Sequence, residues 1–144
     1  MARTFVYSFE DTAVTISHPQ FGTYSAYGTG IGSIAIAYAE DESTMDVAAD
    51  LAVVVSKHVR KHGTVTFNVL QSSDFNNWLK KLTAYLETAN TDQWVLGTIN
   101  VTNKSTGDNY FCEGVCPSRQ PQNNFQSQAQ QREWVMNCAN IINK

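Results

Sequence analysis

Three cysteines and three histidines are the residues of this chain that could bind a metal or serve as nucleophiles. Cys112 and Cys116, together with His58 and His62, supply the ligand types of a zinc site. Their i, i+4 spacings differ from the Cys-x-x-Cys spacing of zinc ribbons, and Cys138 alternates with apolar neighbours as a small core residue does. We therefore expect reduced packing cysteines, surface histidines and no metal.

A glycine-rich stretch is the other segment that could do chemistry. Gly28-Thr29-Gly30-Ile31-Gly32 begins like a dinucleotide-binding fingerprint, but Ser33 replaces the last glycine and a strand-like alternation follows in place of a helix. The sequence contains no Walker A motif and no nucleophile elbow, and its histidines are predicted in turns or polar stretches, away from any buried triad. The chain is therefore predicted not to be an enzyme and to need no cofactor.

The composition is that of one soluble globular domain spanning residues 1–144. The chain is 42% apolar and 16% charged with a net charge of −3, where about 25% charged residues is usual. Its 11 Ser, 14 Thr, 12 Asn and 9 Gln are twice as numerous as its charged residues. No apolar run is long enough to span a bilayer, no signal-peptide pattern is present, and clustered bases for gripping nucleic acid are scarce.

Most segments alternate apolar and polar residues, which predicts β-strands. An apolar stripe with i, i+3, i+4 spacing after Ser73 predicts one amphipathic α-helix at about residues 74–90. Residues 22–32 are predicted to be a turn-rich connection, and residues 105–108 a hairpin turn. The predicted fold class is mainly β, an antiparallel β-sandwich or barrel with one flanking helix. Strands are predicted at 4–9, 12–17, 33–39, 44–48, 52–59, 63–70, 94–102 and 109–116, with a last one through Trp134 and Cys138.

Two short segments concentrate opposite charges. Five of the 13 acids lie between Glu40 and Asp50, and three of the 10 bases lie between Lys57 and Lys61. One interpretation is a pair of solvated turns at opposite ends of a hairpin. The other is a head-to-tail contact, in which the acidic edge of one subunit meets the basic edge of another. Calcium binding is disfavoured because the acidic run lacks the spaced loop-and-glycine pattern.

Amide side chains occupy six even positions in a row. They are Gln120, Gln122, Asn124, Gln126, Gln128 and Gln130. An extended strand would place them on one side, making a wet, uncharged surface along which a polyanion slides without finding a cation. The alternative is a polar edge strand or a loop broken by Pro121.

Several strings of residues, in this order along nearly the whole chain, resemble the tail tube proteins of contractile-tailed bacteriophages. The resemblance lies in the order of strands, turns and helix as much as in the strings themselves. The strings are Tyr7-Ser8-Phe9-Glu10-Asp11, Thr44-Met45-Asp46-Val47-Ala48-Ala49-Asp50, Gly63-Thr64-Val65-Thr66-Phe67-Asn68-Val69-Leu70, Ile99-Asn100-Val101-Thr102-Asn103-Lys104-Ser105-Thr106-Gly107-Asp108 and Gly114-Val115 with Pro117.

The resemblance implies a virion protein that forms hexameric rings, which stack into a hollow tube inside a contractile sheath. DNA and the tape measure protein would occupy the bore transiently, and the sheath, baseplate and tail terminator proteins would be partners. Assembly would take place in the cytoplasm of the host bacterium, without a membrane. The type VI secretion tube shares this architecture. The alternative is a monomeric carbohydrate- or peptide-binding β-sandwich that uses Trp94 or Trp134 as a platform.

For such a tube, a neutral or acidic lining is expected because bases would hold DNA by its phosphates. The candidates for lining the bore are Glu40, Glu42, Asp46, Gln122, Asn124, Gln126, Gln128 and Gln130. The candidates for contacts between rings or with the sheath are Asp41, Asp50, Lys57, Arg60 and Lys61.

Overall fold

The computed structural model describes residues 6, 8, 11–26, 31–122, 125–128 and 130–143. A single α-helix, α1 (Asp74–Thr88), is present among these residues, with a short 3₁₀ turn at Thr91–Gln93. The strands are β1 (Thr12–His18), β2 (Gly22–Ala26), β3 (Ile31–Tyr38), β4 (Ser43–Val47), β5 (Val53–Lys57), β6 (Gly63–Leu70), β7 (Gly97–Asn103), β8 (Asp108–Arg119), β9 (Gln131–Cys138) and β10 (Asn140–Asn143).

Eight strands form one continuous antiparallel sheet in the order β2-β1-β7-β8-β9-β6-β3, with β10 also paired to β8. The long strand β8 pairs with β7 and β10 along its first part and with β9 near its end, so it joins the two halves of the sheet. The strands β4 and β5 pair only with each other. The predicted fold class, mainly antiparallel β with one helix, is confirmed.

The core is built from the inward-facing residues of every long strand. In β6, Val65, Phe67 and Val69 are fully buried and alternate with half-buried polar residues, as the sequence predicts. The same alternation on β1 buries Val14 and Ile16. The remaining strands contribute Ile99, Val101, Cys112, Val115, Trp134, Met136, Cys138 and Ile141 to this core.

Helix α1 packs against the sheet, with its contacts on β2 and β6. It begins at Ser73, whose Oγ accepts a hydrogen bond from the backbone N–H of Asn76 at 3.2 Å. The predicted apolar stripe is confirmed, because Phe75, Leu79 and Leu82 are buried against the sheet. Among the described residues, no helix has the length and hydropathy of a membrane span.

A buried hydrogen bond fixes the helix to β9. The indole Nε1–H of Trp134 donates to Oδ1 of Asn76 at 2.9 Å, and both side chains are buried. Asn76 in turn donates through Nδ2 to the carbonyl oxygen of Gln71 at 3.1 Å. Since both groups are removed from water, each needs the other as a partner. The side chain of Trp134 is therefore packed in the core and cannot serve as an exposed binding platform.

Four features of the fold differ from the sequence-based expectation. Gly22–Ala26 forms strand β2 where a turn-rich connection was predicted, because Tyr24 packs on Phe75 and Trp78 of the helix. Strand β7 starts at Gly97, after the 3₁₀ turn, and β10 is an additional strand. At 4–9 the described residues, 6 and 8, are not in a strand. Residues 27–30, with most of the glycine-rich stretch, lie outside the described residues.

His18 is a further difference, because it is buried where an exposed histidine is expected. Its Nδ1 accepts backbone hydrogen bonds from Gln20 and Phe21, so Nε2 carries the proton and donates to the carbonyl oxygen of Gln93 at 2.9 Å. The imidazole ties the end of β1 to the 3₁₀ turn and packs edge-on against Tyr85. Its role in the fold is structural.

Replacing Trp134 by Phe tests the buried hydrogen bond. The variant keeps an aromatic ring in the core but leaves Oδ1 of Asn76 without its donor, so the free energy of unfolding should fall by about 2–4 kcal/mol, from the unpaired oxygen and the smaller ring. Urea denaturation of the unassembled protein measures the change. The half-buried Trp78 is the control, and its replacement by Phe should cost less than half as much; equal losses would contradict the assignment.

Candidate assembly surfaces

The hairpin β4–β5, from Ser43 to Lys57, projects from one end of the main sheet; we call it the arm. Its strands pair in register from Ser43↔Lys57 to Val47↔Val53, and every residue of both strands is exposed. Backbone hydrogen bonds from Ala39 to His62 and from His58 to Glu42 continue the β3–β6 ladder into the arm. The predicted hairpin around Asp50 is confirmed, and none of its strand residues belongs to the buried core.

The two faces of the arm differ in polarity. One face presents Met45, Val47, Val53 and Val55 as a contiguous exposed group. The other presents Thr44, Asp46 and Ser56, with Val54 among them. A two-stranded ribbon that leaves four apolar side chains in water is marginally stable by itself and is typical of a contact surface.

The tip of the arm is a tight turn over residues 48–52. The backbone N–H of Ala48 donates to the carbonyl oxygen of Ala52 at 2.8 Å, and Oδ1 of Asp50 accepts from the N–H of Ala52 at 3.1 Å. Leu51 has a φ of 71°, in the left-handed region that favours glycine, and its side chain is 82% exposed. The turn thus holds an aliphatic side chain out in solvent at a conformational cost.

At the base of the arm, the acidic and basic segments meet within one chain. Nη1 of Arg60 lies 3.2 Å from Oε1 of Glu40, and Nζ of Lys61 lies 2.8 Å from Oε1 of Glu42. The hydrogen bond and charge of Lys61 hold the pKa of Glu42 below its ordinary value, and the same hydrogen bond raises the pKa of Lys61. Both pairs are solvent-exposed, so they orient the arm more than they stabilise the fold.

The outward-facing residues of β3, β6 and β9 form a second surface, which we call the β3–β6–β9 outer face. Neither β3 nor β6 contains a charged residue. Nδ2 of Asn68 donates to Oγ of Ser33 at 2.8 Å, which links two of its strands. Three cross-strand rows make up the face: Ser33–Asn68–Glu133, Ala35–Thr66–Val135 and Ala37–Thr64–Asn137. The alternation of β6 is visible in the sequence, but the β3–β6–β9 outer face is not, since only the sheet order brings its three strands together.

The amide-rich segment borders the same face. Gln120 and Gln122, with Gln131 of β9, line an open groove of about 450 Å³. Arg119 also lines it and lies 3.9 Å from Glu133. The described residues of the segment form no strand, so the one-sided ladder expected of an extended conformation is absent there; Gln126 and Gln128 are exposed, Gln130 is half-buried, and Asn124 lies outside the described residues.

The cysteines lie in or near the core. Cys112 and Cys138 are buried and Cys116 is half-buried, all with free thiols. A hydrogen bond between the two buried thiols lowers the pKa of Cys112 and, together with burial, raises the pKa of Cys138. In the described part of the chain no three His, Cys, Asp or Glu side chains are grouped so as to hold a metal ion. His58 instead contacts Oγ1 of Thr44 on the arm, at 3.4 Å.

The described residues thus present an exposed apolar arm and a neighbouring sheet face with few charges. The sequence matches the family model of the Bacteriophage PhiTE tail tube protein over residues 4–144. The chain belongs to this family, so it is a structural protein of a phage tail. A comparison with curated protein sequences finds no match.

Solved structures with the same fold come from contractile injection systems. The sheath/tube terminator of the extracellular contractile injection system PVC matches with a TM-score of 0.62 at 8% identity, covering 99% of both chains. The tube terminating cap of the anti-feeding prophage matches with a TM-score of 0.62 at 8% identity, covering 100% of this chain and 94% of that one. A chain of the PVC sheath–tube complex gives 0.58 at 8% identity, covering 97% and 92%. At these identities the likeness is one of fold.

The ion pair at the base of the arm gives a titration prediction. Replacing Lys61 by Gln removes the charge and the ammonium group that hold the pKa of Glu42 down and leaves only a shorter, neutral amide, so that pKa should rise toward the ordinary value of a glutamate. Carboxyl-carbon NMR titration of the unassembled protein measures it. Arg60→Gln is the matched control, because Arg60 pairs with Glu40, and it should leave Glu42 unchanged. An unaltered Glu42 titration in the Lys61 variant would show that the pair does not form in solution.

Proposed function

We propose that this protein is a tail tube subunit, forming hexameric rings that stack into a hollow tube for DNA passage. The observation that carries the proposal is the arm, whose apolar face has no partner within the described part of the chain. A surface of this kind is a liability on a monomer and a joint in an assembly. Heterologous contacts of one copy on the next close into rings or propagate as filaments. Membership in the tail tube family supports the same conclusion.

The apolar face of the arm is proposed to pack on a neighbouring copy. Burying Met45, Val47, Val53 and Val55 removes these side chains from water, which favours association. The polar face of the arm, with Asp46, then remains in contact with solvent. We retain Asp41, Asp50, Lys57, Arg60 and Lys61 as residues at contacts between rings or with the sheath.

The bore is proposed to be lined by the β3–β6–β9 outer face and the surfaces beside it. The outward side chains of β3 and β6 carry hydroxyl, amide and alkyl groups, so these two strands offer DNA phosphates no cation to bind. Arg119, at the bordering groove, lies 3.9 Å from the carboxylate of Glu133. Asp46 on the arm and the amides of the bordering segment extend this lining. Glu40 and Glu42 are paired with Arg60 and Lys61, so we propose that these two expected lining residues lie with the contact residues at the base of the arm instead of in the bore. Gln122, Asn124, Gln126, Gln128 and Gln130 complete the proposed set.

The remaining partners follow from a position in a contractile tail. We propose that the chain acts as one tail-tube domain, assembles in the cytoplasm of the host bacterium and ends in the virion. The sheath would surround the tube, the baseplate and the terminator would contact its two ends, and the tape measure protein would occupy the bore before DNA.

A pair of adjacent valines tests the role of the arm. Val54 and Val55 are both 56% exposed but lie on opposite faces. Val55→Glu places a charge on the apolar face and should abolish rings and filaments in negative-stain microscopy, whereas Val54→Glu on the polar face should leave them intact. Circular dichroism confirms that both variants fold. Assembly by the Val55 variant at the concentration used for the unmodified protein would contradict this role.

A pair of threonines tests which face lines the bore. Thr66 lies at the centre of the β3–β6–β9 outer face, and Thr15 occupies the equivalent outward position on β1. In assembled tubes, Thr66→Lys should retain a labelled single-stranded oligonucleotide in a nuclease-protected form, because a ring of added cations faces the bore. Thr15→Lys should bind it only in a nuclease-sensitive form. The opposite result would place β1 at the bore.

A further inference from the structure

Arg132 is the buried base that the proposed function does not use. It lies on the core side of β9, opposite Val69 of β6, and is only 1% exposed. Its Nε and Nη1 have no hydrogen-bond partner in the part of the chain that the structure describes. The ring of Phe125, which is itself 83% exposed, lies 5.4 Å from the guanidinium carbon. The exposed aromatic ring of Phe125 thus lies over the buried guanidinium of Arg132.

A guanidinium removed from water without a hydrogen-bonded anion is costly. Its planar donors fit a carboxylate, which can accept two parallel hydrogen bonds from it. The described residues place no carboxylate within ion-pair distance of Arg132. Among the described residues the site thus lacks the ligand for which its chemistry is suited, and a carboxylate of another copy would supply it.

The position of Arg132 shows which copy could supply that carboxylate. Arg132 pairs with Val69 at one end of the β6–β9 ladder, whereas the arm leaves from the opposite end, at Tyr38↔Gly63. The six residues between Gly63 and Val69 span about 20 Å of strand. The arm of a chain therefore points away from its own Arg132. In a head-to-tail stack, the arm of one copy points toward the Arg132 end of the next.

We propose that the arm tip of a second copy in the adjacent ring displaces the exposed ring of Phe125 and brings the carboxylate of Asp50 onto the buried Arg132, with Leu51 of that copy against the displaced ring. Asp50 is the acid at the tip, whereas Asp46 lies within a strand, and Glu40 and Glu42 are paired at the base. The exposed Leu51, held in its left-handed conformation, supplies an aliphatic group to cover the aromatic ring. This contact rests on the proposed function, since it requires stacked copies.

Cysteine crosslinking tests the contact through two exposed residues whose replacement spares the core. A Leu51→Cys, Phe125→Cys double variant, treated with a short bismaleimide after assembly, should give a ladder of covalent oligomers. The crosslink cannot form within one chain, because the two positions lie at opposite ends of the sheet. Each single variant, and the pair Leu51→Cys with Val95→Cys, serves as a control and should give no ladder.

Asp50→Asn tests the charge without disturbing the turn, because the amide oxygen can still accept from the N–H of Ala52. Loss of a charged hydrogen bond should raise the critical concentration for assembly about tenfold or more. Asp92→Asn, at an exposed acid on the 3₁₀ turn outside the arm, should change it less than twofold. Arg132→Met should act like Asp50→Asn if it folds, and adding Asp50→Asn to it should have little further effect.

The outcomes separate this contact from the proposed function. Tubes that form normally without a crosslink, or with an unchanged critical concentration for Asp50→Asn, would overturn the Arg132–Asp50 contact and leave the tube intact. An unmodified protein that forms no rings or filaments would overturn the proposed function itself.

Discussion

The surface that the chain cannot bury by itself governs the rest of this structure. The sheet and helix α1 enclose one apolar core, and the strands of the arm lie outside it with five apolar side chains in solvent, four of them on one face. The hydrophobic effect favours removal of that surface from water, and the described chain provides no place for it. A second copy does. The core residues thus stabilise the single subunit, whereas the exposed apolar residues of the arm would favour its assembly.

The low charge of the sheet surface has a matching explanation. A monomeric protein usually keeps soluble by means of charged side chains, whereas β3 and β6 carry only hydroxyl, amide and methyl groups on their outward side. Such a surface is soluble without holding phosphates or other ions. Eight of the 23 charged residues lie instead between residues 40 and 61, where Arg60 and Lys61 bind Glu40 and Glu42. The pairing of these charges at the base of the arm determines their effect more than their number does.

Much of the fold follows from local pattern. The alternation in Gly63–Leu70 predicts a strand, and the stripe from Phe75 to Leu86 predicts a helix. In each case only one conformation places the apolar residues on a single side, where they can be buried together. Strand β2 was missed because the glycine content at 22–32 indicates turns, and only the packing of Tyr24 on the helix makes that segment a strand. The burial of His18 also depends on distant contacts, because the carbonyl oxygen that its Nε2 binds lies 75 residues away, whereas its Nδ1 binds the following turn.

The assembly surfaces were predictable only in part. The hairpin and its charges are visible in the sequence, but the division of the arm into an apolar and a polar face requires its register. The β3–β6–β9 outer face joins strands that are far apart along the chain. The most direct measurement is electron cryomicroscopy of the concentrated protein. We expect closed rings or hollow filaments in which Val55 is buried against a neighbouring copy and Thr66 faces the bore. A protein that remains monomeric at every concentration, or filaments with Val55 in solvent, would contradict this expectation.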